Sequence, residues 1–263
     1  MNTTLIFTFK VDHSERLVNA KHILDYYHSF GYKIVVLHQG DESWNDCPEY
    51  VDYNIVRDSP YGLFKKGENY NIGAKCHRGS DILCFMDIDV LINVDELNKT
   101  IDAIKATDVP GTGSWALIGY NRTAIYFNYA AKEKILAQPL SYDFCTSLID
   151  FNKLKTGDVT ENYIVGNTKA VGGCLVMPRK TFNDISGFNP FIVGWGYDDD
   201  EIISRLKILE IPIYKVSSML YHLPHGESTA DKSNHPHYKQ NEAICQFVES
   251  LNKEQLKRYI KQW

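Results

Sequence analysis

The chain has 263 residues, 44% of them hydrophobic and 23% charged, with a formal net charge of -5. That length holds one large α/β domain or two small ones, and the composition is ordinary for a soluble globular protein. The acidic balance argues against stable nucleic-acid binding, because gripping phosphate backbone needs clustered Lys and Arg.

No stretch approaches the roughly 20 apolar residues that cross a bilayer. The start, "MNTTLIFTFKVDHSER", has no basic lead-in and too short an apolar run for a secretory signal. Cys47, Cys76, Cys84, Cys145, Cys174 and Cys245 form no C-x-x-C pair. Several lie in apolar runs, where a free thiol behaves as a small hydrophobe. The expectation is a cytoplasmic protein with reduced cysteines.

"TTLIFTFKV" (3–11) predicts a first strand. In "SERLVNAKHILDYYHSFGY", Leu17, Ala20, Ile23, Leu24 and Tyr27 recur at helical spacing, and Gly31 ends the helix. "KIVVLHQ" (33–39) and "YNIVRD" (53–58) predict further strands. "FKKGENYNIGAKCHRGS" predicts a helix leading into "ILCFMDIDVLI" (82–92), read as one strand. Residues 95–106 suggest a helix, and "SWALIGYN" and "TAIYFNYAAKEKIL" follow, strand-like and then helical. The region 139–170 reads as irregular, and "AVGGCLVMP" (170–178) as a buried strand. A loop then precedes a helix from about Asp198, and "PIYKVSSMLYHL" (212–223) predicts a last strand. "PHGESTADKSNHPHYKQNEA" is polar and turn-rich, a candidate mobile loop before a helix over 241–260. Alternating strands and helices imply a mostly parallel sheet, with ligands at the carboxyl ends of its strands.

Four groups carry the chemistry. Asp87 and Asp89 sit two apart in an apolar run, so in a strand they share a face. Two carboxylates on one face repel unless a cation lies near them, and a hard divalent ion shared with substrate phosphates fits. A strand end with one Asp capping the "NVDEL" helix fits as well. "GWGYDDDEIISRL" (194–206) pairs Trp195 with four consecutive acids. The helix macrodipole accounts for one or two acids in a first turn. An aromatic face beside a carboxylate also suits a hydroxyl acceptor, which needs a platform and a base. His222, His225, His235 and His237 lie within 16 residues, with Met219 three before His222. Imidazole and thioether suit a borderline metal such as Mn, while a solvated loop with incidental histidines is the plainer account of His235 and His237. "FKKGENYNIGAK" offers Phe64, Lys65, Lys66, Asn71 and Gly73 near a helix, either an anion site or an amphipathic surface.

Taken in order, these segments resemble the GT-A glycosyltransferases, most closely the branch of the β-1,4-galactosyltransferases and chondroitin-polymerase-like enzymes. The segments that match are "FKKGENYNIG", "FMDIDVLI", "VGGCLVMPRKTFNDISGFNPFIVGWGYDDDEIISRL" and "MLYH". The resemblance implies one α/β GT-A domain over 1–263, with a mostly parallel central sheet flanked by helices. Residues 1–95 would form the nucleotide-binding half, and 96–263 the acceptor-binding half with a mobile loop at 223–240. It implies transfer of a hexose or N-acetylhexosamine from a UDP-sugar to a hydroxyl acceptor, with Mn2+ or Mg2+ as cofactor. Asp89, His222 and Met219 would hold the metal, with Asp87 and His225 as further candidates. Phe9, Lys10, Phe64, Lys66, Asn71, Asp87, Ile88 and Gly173 would contact the nucleotide sugar. Trp195, Gly196 and Asp198 would face the acceptor, and Asp199 would be the catalytic base.

The chain departs from the branch in three places. Lys66 and Lys10 stand where arginines are usual, which weakens bidentate phosphate holding. Tyr197 and Asp198 precede Asp199 where the branch has Glu-Asp, so Asp200 stays a candidate base. An aspartate at its reference pKa of about 3.9 would be ionised at neutral pH. Rival classes are a glycosyltransferase acting on a modified nucleic-acid base or a protein, a nucleotidyltransferase of related fold, and a non-catalytic binder. The second would need a basic Gly-rich loop near residues 8–20, and none is there.

Overall fold

The structure of the protein, a computed structural model, describes residues 2–11, 13–40, 44, 46–57, 63–107, 116–118, 123–166, 172–215, 219–226 and 236–263. Thr3–Lys10 forms the central strand β1, with Leu5, Ile6 and Phe7 wholly buried. Burial on both faces is what a parallel strand covered by helices requires. The chain continues through α1 (Ser14–Ser29), β2 (Lys33–Gln39), β3 (Tyr53–Arg57), α2 (Lys66–Cys76), β4 (Ile82–Asp87) and β5 (Val90–Ile92). Next come α3 (Val94–Thr107), β6 (Ala116–Ile118), β7 (Thr123–Phe127), α4 (Tyr129–Leu136), α5 (Tyr142–Ser147) and β8 (Tyr163–Val165). It closes with β9 (Cys174–Pro178), α6 (Arg179–Asp184), α7 (Asp198–Ile208), β10 (Ile213–Lys215), β11 (Met219–His222), α8 (Tyr238–Glu249) and α9 (Lys253–Tyr259).

The main sheet has seven strands in the order β10-β6-β9-β4-β1-β2-β3. Its pairs are parallel except those that β9 makes with β4 and β6. A second sheet runs β5-β11-β7-β8. From β1 the chain moves to β2 on one side and later returns as β4 on the other. That reversal makes a crevice at the carboxyl ends of β1 and β4, where Thr8 pairs with Asp87. The helix α2 enters from this end, and Asn69 donates to Thr8 Oγ1 at 3.0 Å and to Gln39 Oε1 at 3.1 Å. A smaller core of Val248, Leu256 and Ile260 seats the last helices.

Several elements differ from the sequence expectation. The run 82–92 is two strands in two sheets, with a turn at Ile88–Asp89. The run 212–223 likewise divides, β10 joining the main sheet and β11 the second. In both cases hydrophobicity reports burial, not which sheet does the burying. Within 139–170, the helix α5 and the strand β8 are ordered, and α6 occupies the start of the expected loop after β9. The terminal helix divides at Ser250–Asn252, where Asn252 and Gln255 form a capping box. Of the stretch 223–240, residues 223–226 are held by hydrogen bonds and α8 begins at Tyr238. Residues 227–235, with His235, lie outside the described residues.

Candidate active site and metal centre

The turn after β4 divides the D-x-D pair. Asp89 is 5% exposed, with Oδ2 2.6 Å from His225 Nε2 and Oδ1 3.4 Å from His222 Nε2. Ligand atoms of Asp89, His222 and His225 all lie within 4.8 Å of one another. Burial would raise the pKa of Asp89, but His222, His225 and Arg16 outweigh it and hold the carboxyl well below its usual range. Burial lowers the pKa of His222, against the pull of Asp89. One buried carboxylate oxygen and two imidazole nitrogens form a donor set that fits a borderline divalent ion such as Mn2+.

The strand β11 presents His222 and, by alternation, turns Met219 to its other face. There the Met219 sulfur accepts from the Tyr221 hydroxyl at 3.8 Å. The structure therefore brings Asp89, His222 and His225 together and directs Met219 elsewhere. His225 is fixed from α1 and α4. Arg16 Nη2 lies 2.8 Å from its Nδ1, Asn19 and Lys132 both donate to Pro224 O, and Glu15 accepts from Gly226 N at 3.0 Å. His237 pairs with Gln240 at 3.2 Å at the start of α8.

Asp87 faces a second constellation. Lys66 Nζ bridges Asp87 Oδ1 at 3.0 Å and Asp198 Oδ2 at 3.1 Å, and the Tyr70 hydroxyl lies 3.3 Å from Asp87 Oδ1. Burial works against the charge of Lys66. The Asp198, Asp199 and Asp87 carboxylates outweigh it and hold its pKa well above an ordinary lysine. The cation between the D-x-D and the acidic run is thus a protein lysine.

The four acids of α7 have four different surroundings. Glu201 is wholly buried in an ion pair with Arg205, at 2.9 Å, and accepts from Asn189 Nδ2 at 3.0 Å. Arg205 also donates to the backbone oxygens of Ile185 and Gly187, which locks the preceding loop to the helix. Asp198 meets Lys66, and Asp200 is exposed. Asp199 is turned toward β9, where a Cβ on Gly172 would overlap its carboxylate. The glycine leaves room for that carboxylate. Burial, then the adjacent Asp198, pushes the pKa of Asp199 well above the usual carboxylate range, with Lys66 pulling the other way. This corrects the expectation of an ordinary, fully ionised aspartate.

Trp195 is 43% exposed and lies parallel to Tyr238 of α8, with ring centroids 6.0 Å apart. Its loop is clamped by Asn241, whose amide bonds the Val193, Trp195 and Gly196 backbones. Gly196 is buried with φ +101, a conformation few side chains adopt. Tyr197 continues the aromatic wall and donates to Glu242 Oε1 at 2.8 Å.

Other expected nucleotide contacts have other partners. Phe9 is 1% exposed and stacks on His38, so it belongs to the core. Ile88 is also core, at 1%. Both ends of the Asn71 amide bind the Phe188 backbone, at 2.7 and 2.8 Å. Phe64 O accepts from Gly194 N, tying the start of α2 to the Trp195 loop. Gly173, with φ +93, accepts from Asp87 N at 3.1 Å. Lys10 ends β1, half-buried at the crevice rim.

Sequence reasoning did not find Arg16, Tyr126, Tyr238, Asn241 or Glu242. Tyr126 pairs across the sheet with His222, their rings 5.0 Å apart, and is 38% exposed. Burial, then Asp87 and Asp89, raises the pKa of its hydroxyl. The four acids carried one legible partner: Glu201 and Arg205 are four apart, the spacing of a helical ion pair.

Residues 159–226 match a family model described as the N-terminal domain of galactosyltransferase. In this chain that segment holds β9, the Trp195 loop, the acids of α7, and the two histidines that lie beside Asp89. No curated protein matches the chain. A solved catalytic domain of Drosophila β1,4-galactosyltransferase 7, in complex with xylobiose, is similar to it. The identity is 16% and the TM-score 0.54, over 96% of this chain and 83% of that one. A mutant of the same enzyme, in complex with manganese, UDP-Gal and xylobiose, aligns at 16% identity and a TM-score of 0.50. That alignment covers 93% of this chain and 79% of the other. The likeness establishes the GT-A fold. The galactosyltransferase family model matches a segment that covers less than half of the chain.

Proposed function

We propose that the protein is a metal-dependent inverting glycosyltransferase that moves a hexose or N-acetylhexosamine from a UDP-sugar to a hydroxyl of a glycan. The observation that carries this reading is two sets of groups meeting at one turn. Asp89, His222 and His225 bring their ligand atoms within 4.8 Å of one another, close enough to hold one ion. Two residues earlier, Asp87 is linked through Lys66 to Asp198, next to Asp199. The manganese, UDP-Gal and xylobiose bound by the Drosophila enzyme support the same three ligand classes here.

A divalent ion, Mn2+ or Mg2+, held by Asp89, His222 and His225 would neutralise charge on the departing diphosphate. Trp195 offers its exposed face to the acceptor ring, and Asp198 a carboxylate to its hydroxyls. Asp199 takes the proton of the attacking hydroxyl. The hydroxyl oxygen bonds to the anomeric carbon as the bond from that carbon to the phosphate oxygen breaks, and UDP leaves with the electron pair. Attack opposite the leaving group inverts the anomeric centre. A base works best with a pKa near the working pH, and the burial that raises Asp199 moves it that way.

The six free cysteines suit a reducing compartment, so we place the reaction in the cytoplasm. Among the described residues, no helix is long and apolar enough to cross a membrane.

The test is a panel of UDP-sugars with Mn2+, read by thermal shift and by release of UDP. One donor should raise the melting temperature and be hydrolysed slowly without acceptor. Asp89→Ala and His222→Ala should each weaken Mn2+-dependent UDP binding. Unchanged metal dependence in both would overturn the metal site. Pyrophosphate as product would make the enzyme a nucleotidyltransferase instead.

A further inference from the structure

We propose that Arg16 is a donor-diphosphate-binding cation, and that it becomes available when His225 turns from its hydrogen-bond partner into a metal ligand. This rests on the reading of a metal-dependent UDP-sugar enzyme given above. The argument starts from proton counting. Arg16 Nη2 lies 2.8 Å from His225 Nδ1. A guanidinium has only donors and keeps its charge at any working pH, so Nδ1 must offer a lone pair. The neutral ring then carries its one proton on Nε2, which donates to Asp89 Oδ2 at 2.6 Å. Ligation of an ion through Nε2 needs a lone pair at that nitrogen. The ring proton must then sit on Nδ1, where it would point at the N–H of Arg16. Two donors facing each other make no bond. The Arg16–His225 hydrogen bond and metal ligation by His225 Nε2 therefore exclude one another.

Arg16 is the partner that can move. The backbone on both sides of His225 is fixed: Asn19 and Lys132 hold Pro224 O, and Glu15 holds Gly226 N. Arg16 is a long, half-buried side chain on the first turn of α1, just past the carboxyl end of β1. Its charge already acts on both Asp89 and His222. Turned from His225, it stands within one side chain of the ion, where the planar fork of a guanidinium matches the geometry of a diphosphate oxygen beside that ion. Lys66 is less suited to the role, being held between Asp87 and Asp198. The chain thus carries on α1 the arginine chemistry that Lys10 and Lys66 lack.

The full chain is compared as wild type, Arg16→Met and Arg16→Lys. Mn2+ alone is titrated by the resonance of the free ion, and UDP by calorimetry in saturating Mn2+. Arg16→Met should bind Mn2+ several-fold tighter, because a competing bond and a positive charge are gone. It should bind UDP about ten- to a hundred-fold weaker, the scale of a lost charged hydrogen bond. Arg16→Lys should recover part of the UDP affinity. In wild type, Mg2+ should move the His225 ring proton from Nε2 to Nδ1, seen in its nitrogen chemical shifts. Unchanged UDP affinity in Arg16→Met overturns the proposal. So does a parallel loss of Mn2+ affinity, UDP affinity and melting temperature, which would mark a structural residue. A wild type that binds neither Mn2+ nor UDP would instead overturn the underlying reading.

Discussion

Asp199 reaches its place because residue 172 is a glycine: a Cβ there would overlap the Asp199 carboxylate. The obstructed atom is the end of a side chain, so the fold can absorb the change while the catalytic geometry cannot. Gly172→Ala should keep its melting temperature within a few degrees of wild type. Its kcat should fall about a hundred-fold, the known scale for a base displaced by an ångström. Steady-state kinetics beside a melting curve check this, and an unimpaired kcat would remove Asp199 from its role.

The Asp199 carboxyl also sets a pH dependence. Its folded pKa is raised above the unfolded value of about 3.9, so between the two the folded chain holds more protons. The associated stability is fully present below about pH 4 and is lost as pH rises through the folded pKa. Asp199→Asn mimics the protonated form. Its melting temperature should match wild type near pH 4 and exceed it increasingly toward pH 8 and 9. The variant should lose transfer but keep Mn2+-dependent UDP binding. A melting-temperature difference that does not change with pH would contradict the buried-carboxylate account.

Glu201 and Arg205 are both wholly buried, and Arg205 ties Ile185 and Gly187 to α7. Removing one member of such a pair leaves the other charged without compensation. Arg205→Met should therefore cost about 3–5 kcal/mol in urea unfolding. The double variant Glu201→Gln with Arg205→Met should recover part of that. If the single and double variants lose the same stability, the pair is not coupled as its geometry requires.

Particular residues show what was legible in the sequence. The strand Lys33–Gln39 and the helix beginning at Asp198 agree with expectation because each is set by a local pattern with clear punctuation. The run 82–92 was legible as buried but not as divided, because Ile88 goes into the core while the backbone turns around it. The D-x-D was legible as chemistry, but the pairing was not. Asp87 finds Lys66 and Asp89 finds two histidines more than 130 positions away, and no spacing rule reaches that far. Phe9 and Asn71 carry the family's residue types, but their core and loop partners lie in other segments. Arg16 and Asn241 went unread for the same reason. Each acts on a loop hundreds or tens of residues distant, through hydrogen bonds that leave no periodicity.

Asn241 gives the last prediction. Its amide is buried and bonds the backbone of Val193, Trp195 and Gly196, so α8 holds the aromatic platform through one side chain. Asn241→Ala leaves those backbone groups without a buried partner, at about 1–3 kcal/mol of stability. The platform loosens, while the proposed metal ligands Asp89, His222 and His225, in the turn after β4 and at the end of β11, share none of these bonds. The KM for the acceptor should rise about ten-fold or more, and UDP affinity with Mn2+ should stay near wild type. Asn241→Asp keeps the oxygen that accepts from Val193 N but loses the donor to the three carbonyls. It should therefore behave like the alanine variant. If acceptor KM is unchanged, Trp195 is not the acceptor platform. If donor affinity falls equally, the loop serves both substrates and the division of the site between donor and acceptor is wrong.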